Sequence, residues 1–147
     1  MTNFKKIYIG SDHAGFELKQ DIKTYLETMS LDIEDVGIFS PKTTDYPDIA
    51  KIVAKKIQRG HGVVGILICG TGIGMSMAAN RFKGVRGAGC TSEIMAEFSR
   101  KHNDANILCL GSRILNQVLA KQIIKRFLET EFEAEDRHKR RIKKMDR

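Results

Sequence analysis

No stretch of this 147-residue chain stays apolar for the roughly 20 residues that a membrane-crossing helix needs. The opening Met-Thr-Asn-Phe-Lys-Lys also lacks the apolar core of a signal peptide. A membrane is therefore not expected as a partner, and the expected location is the cytoplasm. Cysteine is scarce and odd in number: Cys69, Cys90 and Cys109 each lie within or end an apolar run, with no C-x-x-C and no paired histidine spacing. Neither a disulfide framework nor a zinc site is indicated. Two glycine-loop signatures are missing as well. Met75 follows Gly74 where a dinucleotide-binding fingerprint needs its next turn residues and third glycine, and no Gly-Lys-Ser/Thr closes a phosphate-binding P-loop. No internal repeat, low-complexity stretch or linker divides the chain, so residues 1–147 are read as a single domain.

What is present is ordinary in composition and uneven in charge. Hydrophobic residues make up 41% of the chain, enough for one core at this length. The net charge is +7, and much of it sits in the run from Arg137 to Arg147. That run has no aromatic side chains interleaved with its bases, as a base-stacking surface requires, so nucleic acid is not expected as a partner. Arg137 and Arg141 are four apart and share one face if the segment is helical, a spacing that suits a phosphate clamp.

Strand-like and helix-like segments alternate from end to end. Strands are predicted over Lys6–Gly10, Leu31–Val36, Val63–Cys69, Val85–Cys90 and Ile107–Gly111. Helical spacing runs over Phe16–Met29, roughly Asp48–Gln58, Ile73–Asn80, Ser92–Lys101 and Leu115–Glu129, with the basic terminus as a helical extension. Five such units imply an α/β, three-layer, Rossmann-like fold: a parallel sheet of expected order 2-1-3-4-5 with helices on both faces. Ligands in such sheets bind beyond the carboxyl ends of the strands where the order reverses, here between strands one and three.

The loops that end those two strands carry the chemistry. Strand three runs through Ile66-Leu67-Ile68-Cys69 into Gly70-Thr71-Gly72-Ile73-Gly74. A glycine-rich turn of this kind presents backbone N–H groups that hold an anion or a developing oxyanion, and the same field favours a thiolate at Cys69. A thiolate beside preorganised donors outlines a proton-transfer site, although glycines after a strand also serve as plain turn residues. Strand one ends in Gly10-Ser11-Asp12-His13-Ala14-Gly15, pairing a carboxylate with an imidazole; Asp12 is equally placed to cap the next helix. His102-Asn103-Asp104-Ala105-Asn106 ends helix four, where the helix dipole favours a protonated imidazole, with a C-cap as the alternative. Gly111-Ser112-Arg113 lays a guanidinium at the carboxyl edge. Asp45-Tyr46-Pro47 opens a helix and offers a substrate wall, and His61, between two glycines, reads as a turn residue.

Taken together, these motifs resemble the type B ribose-5-phosphate isomerases and their galactose-6-phosphate isomerase relatives. The resemblance covers nearly all of the chain and also rests on Ala79-Asn80-Arg81-Phe82-Lys83-Gly84-Val85-Arg86 and Arg137-His138-Lys139-Arg140-Arg141. It implies an aldose–ketose isomerase that works through a cis-enediolate without metal or organic cofactor. Cys69 would be the carbon base, with Thr71 beside it and Gly70, Gly72, Ile73 and Gly74 lining the enediolate. Asp12 and His102 would open the sugar ring, with Asn103 next to them. His13, Arg113, Arg137 and Arg141 would surround the phosphate, and Tyr46 would wall the substrate. Some relatives use a glutamate one position after the last glycine; Met75 stands there, which fits the cysteine branch. The resemblance also implies a homodimer or homotetramer with shared sites, the His-Asn and Gly-Ser-Arg loops coming from the neighbouring subunit. A six-carbon sugar phosphate and a non-catalytic phosphosugar-binding subunit are the alternative readings. One departure stands out: relatives place two glycines before the Arg-His pair, whereas this chain has Ala134-Glu135-Asp136, carboxylates that should weaken a phosphate role for Arg137.

Overall fold

The computed structural model describes residues 2–146. Its elements are β1 (Lys6–Ser11), α1 (Phe16–Thr28), β2 (Ile33–Gly37), α2 (Tyr46–Arg59), β3 (Val63–Cys69), α3 (Ile73–Ala79), β4 (Gly87–Gly89), α4 (Glu93–Lys101), β5 (Ile107–Gly111), α5 (Gln117–Glu129) and α6 (Asp136–Met145). α2 starts two residues earlier than expected because Pro47, with its fixed φ and no N–H to satisfy, fits the first turn. No helix among the described residues is long and apolar enough to cross a membrane.

The five strands pair in parallel in the order β2-β1-β3-β5-β4, which corrects the expected 2-1-3-4-5. The exchange has a physical cause. Every residue of β5 is buried, and a fully buried strand needs a hydrogen-bonding neighbour on each side. β4 is only Gly-Ala-Gly, shorter than the expected Val85–Cys90, so it has little side chain to bury and exposes few unpaired groups at the edge. The reversal of strand order stays between β1 and β3.

Alternation along β3 sends Val64, Ile66 and Ile68 into the layer shared with Leu18 and Ile22 of α1 and Ile123 and Phe127 of α5. Leu67 and Cys69 face the other layer, packed with Val53 and Ile57 of α2 and Met75 and Ala79 of α3. Gly65 lets α2 seat closely, since a Cβ there would lie 2.6 Å from the Val53 side chain. Each fully buried Ile or Phe contributes about 1.5–3 kcal/mol through lost apolar exposure.

Behind the reversal point, α1 and β2 are joined by a buried ion pair. Lys19 Nζ, fully buried, donates to Asp35 Oδ1 at 2.8 Å and to the Ile38 carbonyl, while Lys23 Nζ donates to Asp35 Oδ2 at 2.9 Å. Burial pushes the Lys19 ammonium down from its ordinary value. Burial works to raise Asp35, but hydrogen bonds from Lys19, Lys23 and the Gly37 amide outweigh it and hold the carboxyl below the usual range. After α5 the chain crosses the end of α4, where the Glu133 N–H donates to the Lys101 carbonyl at 3.0 Å, and it finishes in α6.

Candidate active site

At the carboxyl edge, Asp12, Tyr46, Cys69, Gly70, Thr71, Ile73, Gly74, Met77 and Arg113 line one open cavity of about 390 Å³, a size suited to a small metabolite. Gly72 makes the turn: its φ of +80° is open to glycine, and its N–H donates to Cys69 Sγ at 3.2 Å. A donor aimed at the sulfur stabilises negative charge there. Gly72 itself does not line the cavity. The Ile73 N–H donates to Thr71 Oγ1 at 3.2 Å and holds that hydroxyl beside the loop. Gly74 makes room for the Tyr46 ring, because a Cβ there would lie 2.6 Å from it. The other two thiols are unsuited to proton transfer: burial pushes Cys90 up to about 11 and Cys109 higher still.

Asp12 fills both roles its sequence position offers. It is 6% exposed, its Oδ1 accepts the Gly15 N–H at 3.0 Å ahead of α1, and it also lines the cavity. His13 is exposed, and its Nδ1 accepts the Thr44 N–H at 3.2 Å, tying the first loop to the segment that leads into Tyr46. The implied supply of the Gly-Ser-Arg loop by a neighbour is corrected. The Arg113 N–H donates to the Gly70 carbonyl at 2.9 Å, and its guanidinium lies over Gly70, 3.0 Å from where a Cβ would stand. Since β5 lies next to β3, its terminal loop falls beside Cys69 of the same chain. Ser112 adds a bond no motif announced, its hydroxyl donating to the Ala14 carbonyl at 2.8 Å.

His102, Asn103, Arg137 and Arg141 collect elsewhere. α4 runs back from the carboxyl edge and His102 caps its C-terminus, so His102 and Asn103 stand at the amino edge, just before β5 begins. β5 alone separates the two edges by roughly 15 Å at about 3.3 Å per residue. One chain cannot bring His102 onto Cys69. α6 places Arg137 and Arg141 on its exposed side and turns His138 inward, where that ring stacks on His102 with centroids 4.4 Å apart. Phe98 backs His102 at 4.8 Å. Arg137 pairs with Glu135, and Asn103 lines a different cavity together with Arg86. Arg86 builds that turn: its guanidinium donates to the Asn103 and Asp104 carbonyls, to the Asp104 carboxylate and to Asp146.

The sequence reading gave His138 and Arg86 no individual role. The signal for His138 was its helical spacing with Ile142 and Met145, the apolar residues of an otherwise charged segment. One cluster of metal-ligating type occurs among the described residues, which sequence spacing had not suggested: donor atoms of His102, Glu133 and His138 lie within 4.8 Å of one another. Two imidazoles and a carboxylate match a borderline metal, but Lys101 also reaches Glu133 at 3.9 Å and Arg137 and Arg141 lie on the adjoining helix, a field that opposes a cation. His61 sits in the bend before β3, as its flanking glycines suggest.

The chain is similar to known proteins over nearly its whole length. Ribose-5-phosphate isomerase B of Escherichia coli is 44% identical over 138 residues, covering 94% of this chain and 92% of that protein. A ribose 5-phosphate isomerase from Thermotoga maritima is 49% identical, superposes with a TM-score of 0.93 and covers 96% of this chain and 97% of its own. Ribose-5-phosphate isomerase B from Mycoplasma genitalium, solved with bound ribulose-5-phosphate, is 42% identical with a TM-score of 0.92, covering 99% and 95%. Residues 7–145 match the Ribose/Galactose Isomerase family, and the chain belongs to it.

Proposed function

We propose that this protein interconverts ribose 5-phosphate and ribulose 5-phosphate, moving a proton between C2 and C1 through a cis-enediolate with Cys69 as the base. The observation that carries the reading is the Gly72 N–H aimed at Cys69 Sγ, on a loop whose Gly70, Thr71, Ile73 and Gly74 line one cavity with Asp12 and Arg113. A thiolate there takes the carbon-bound proton while loop donors hold the enediolate oxygen, and neither step calls for a metal or organic cofactor. Asp12 and His102 open the sugar ring, with Asn103 assisting. Arg113 and His13 hold the phosphate from the Cys69 side, and Arg141, with Arg137 in a lesser part, from the other. The bound ribulose-5-phosphate of the Mycoplasma relative supports a pentose phosphate as substrate.

Because the two groups of residues stand at opposite edges of one chain, the complete site takes two copies, each lending its amino edge to the other's cavity. A two-fold arrangement then yields two equivalent sites. The exposed apolar residues Ile73 and Met77 of α3 and Ile94, Met95 and Phe98 of α4 supply a surface for that pairing, within a homodimer or homotetramer. A coupled assay on ribose, allose and galactose phosphates tests the reading, with ribose 5-phosphate expected as the preferred substrate. Failure of the folded protein to turn over any of the three would overturn it in favour of a phosphosugar-binding subunit.

A further inference from the structure

Building on the reading of His102 as the ring-opening acid, we infer that His138 is its positioning residue: a buried, uncharged ring that fixes the His102 imidazole by stacking. The two rings lie nearly parallel, 15° apart with centroids at 4.4 Å, and Phe98 closes on His102 from its own helix at 4.8 Å. An imidazole held between two rings has its orientation set by packing, which a proton donor on a loop-bordering helix end otherwise lacks.

The uncharged state of His138 follows from what faces its ring. His138 is 3% exposed, and its Nε2 has no hydrogen-bond partner among the described residues. An imidazolium there would carry a buried donor with nothing to receive it. Burial pushes His138 down from its ordinary value, and the charges of Arg137, His102 and Arg141 push the same way, with Glu135 opposing. His102 is half-buried and caps the C-terminus of α4. Glu133, from the segment before α6, brings a carboxylate oxygen within 4.8 Å of a nitrogen on each ring, and Lys101, which leans on Glu97 at 2.7 Å, reaches that same carboxylate at 3.9 Å. Buried and without a partner at Nε2 among the described residues, the His138 ring stays neutral.

Two measurements test this. The first is an NMR titration of the four histidines in the intact protein, with signals assigned through His13→Gln, His61→Gln, His102→Asn and His138→Phe. His138 is expected to stay uncharged through the ordinary histidine range as the pH is lowered; its protonation at or above that range overturns the inference. The second compares His138→Phe, which keeps a flat ring, with His138→Leu, which fills the space without one. Turnover of the cyclic sugar should stay within about threefold in the Phe variant and fall about tenfold in the Leu variant, with open-chain substrate and KM changed less than about threefold in both. Equal turnover in the two variants, or equal losses on both forms of substrate, reduces His138 to packing and overturns its positioning role. If His102→Asn shows no preference between the two forms, the ring-opening reading itself fails, and the titration still reports whether His138 is uncharged.

Discussion

The carboxyl edge and the amino edge of this molecule are built from different materials. Around Cys69, every one of these contacts has a backbone partner: the Gly72 N–H reaches the sulfur, the Arg113 N–H reaches the Gly70 carbonyl and the Ser112 hydroxyl reaches the Ala14 carbonyl. These contacts hang on strand ends rooted in the buried sheet. Around His102, placement is done by side chains from three segments: a ring stack, ion pairs at Lys101 and Glu135–Arg137, and the Arg86 guanidinium bracing the turn. The first arrangement is fixed by the loops themselves. The second rests on ion pairs between surface side chains and is the more salt-sensitive.

The sharpest way to break the comparison is at Cys69. Cys69→Ser should lower kcat by about 10²–10⁴ with KM little changed, because a positioned base is lost and serine does not ionise near neutral pH. Retention of more than about a tenth of kcat would remove Cys69 from the mechanism. Iodoacetamide should inactivate the wild type, slowed by saturating sugar phosphate, since burial holds Cys90 and Cys109 as thiols.

His102→Asn carries the same question to the other edge. Its loss, about 10²-fold on cyclic sugar, should be much smaller on open-chain substrate. Mixing inactive Cys69→Ala and His102→Asn subunits should restore activity, because one of the two sites in a mixed dimer then holds both intact groups. Lack of recovery after verified exchange would count against a site shared between chains.

The support under the carboxyl edge can be tested through stability. Asp35→Asn leaves Lys19 buried without its counter-charge and should cost about 3–5 kcal/mol near pH 7. Asp35 has its folded value lowered, so its contribution is complete above the unfolded value near 4 and is lost as pH falls through the folded one. The gap between wild type and variant, followed by circular dichroism in urea at matched protein concentration, should therefore narrow in acid. A gap that stays constant down to pH 2 would show that the pair is not the cause.

At the amino edge the arginines should differ. Arg141→Ala should raise KM at least about tenfold through lost charge-assisted bonds to phosphate, with Lys recovering only part. Arg137→Ala should cost less, because Glu135 already engages that guanidinium. The smallest expected effect comes from replacing Glu135 and Asp136 with glycine: KM should fall a few-fold at low salt, and the gain should shrink as salt screens the pair. An unchanged KM across ionic strengths would mean that the acidic pair faces away from the phosphate.

Much of this was legible in one dimension. Alternating strand and helix periods determined a parallel α/β sheet, because apolar runs flanked by amphipathic helices bury themselves in few ways. The Cys69 loop and the Asp12-His13 loop were placed in one crevice by the rule that ligands bind where strand order reverses, and the cavity holds Cys69 and Asp12 together. The spacing of Arg137 and Arg141 read correctly as one exposed helical face. Tertiary structure alone decided the rest. Whether β4 or β5 lies next to β3 depends on how much each strand has to bury and how many neighbours satisfy it, a competition across the whole sheet that no local pattern records. That choice set Arg113 beside Cys69 of the same chain, against the expectation. The stacking of His138 on His102 depends on where the segment after α5 crosses the end of α4. Residues 36 apart in sequence meet there only because the fold brings two helix ends to the same edge.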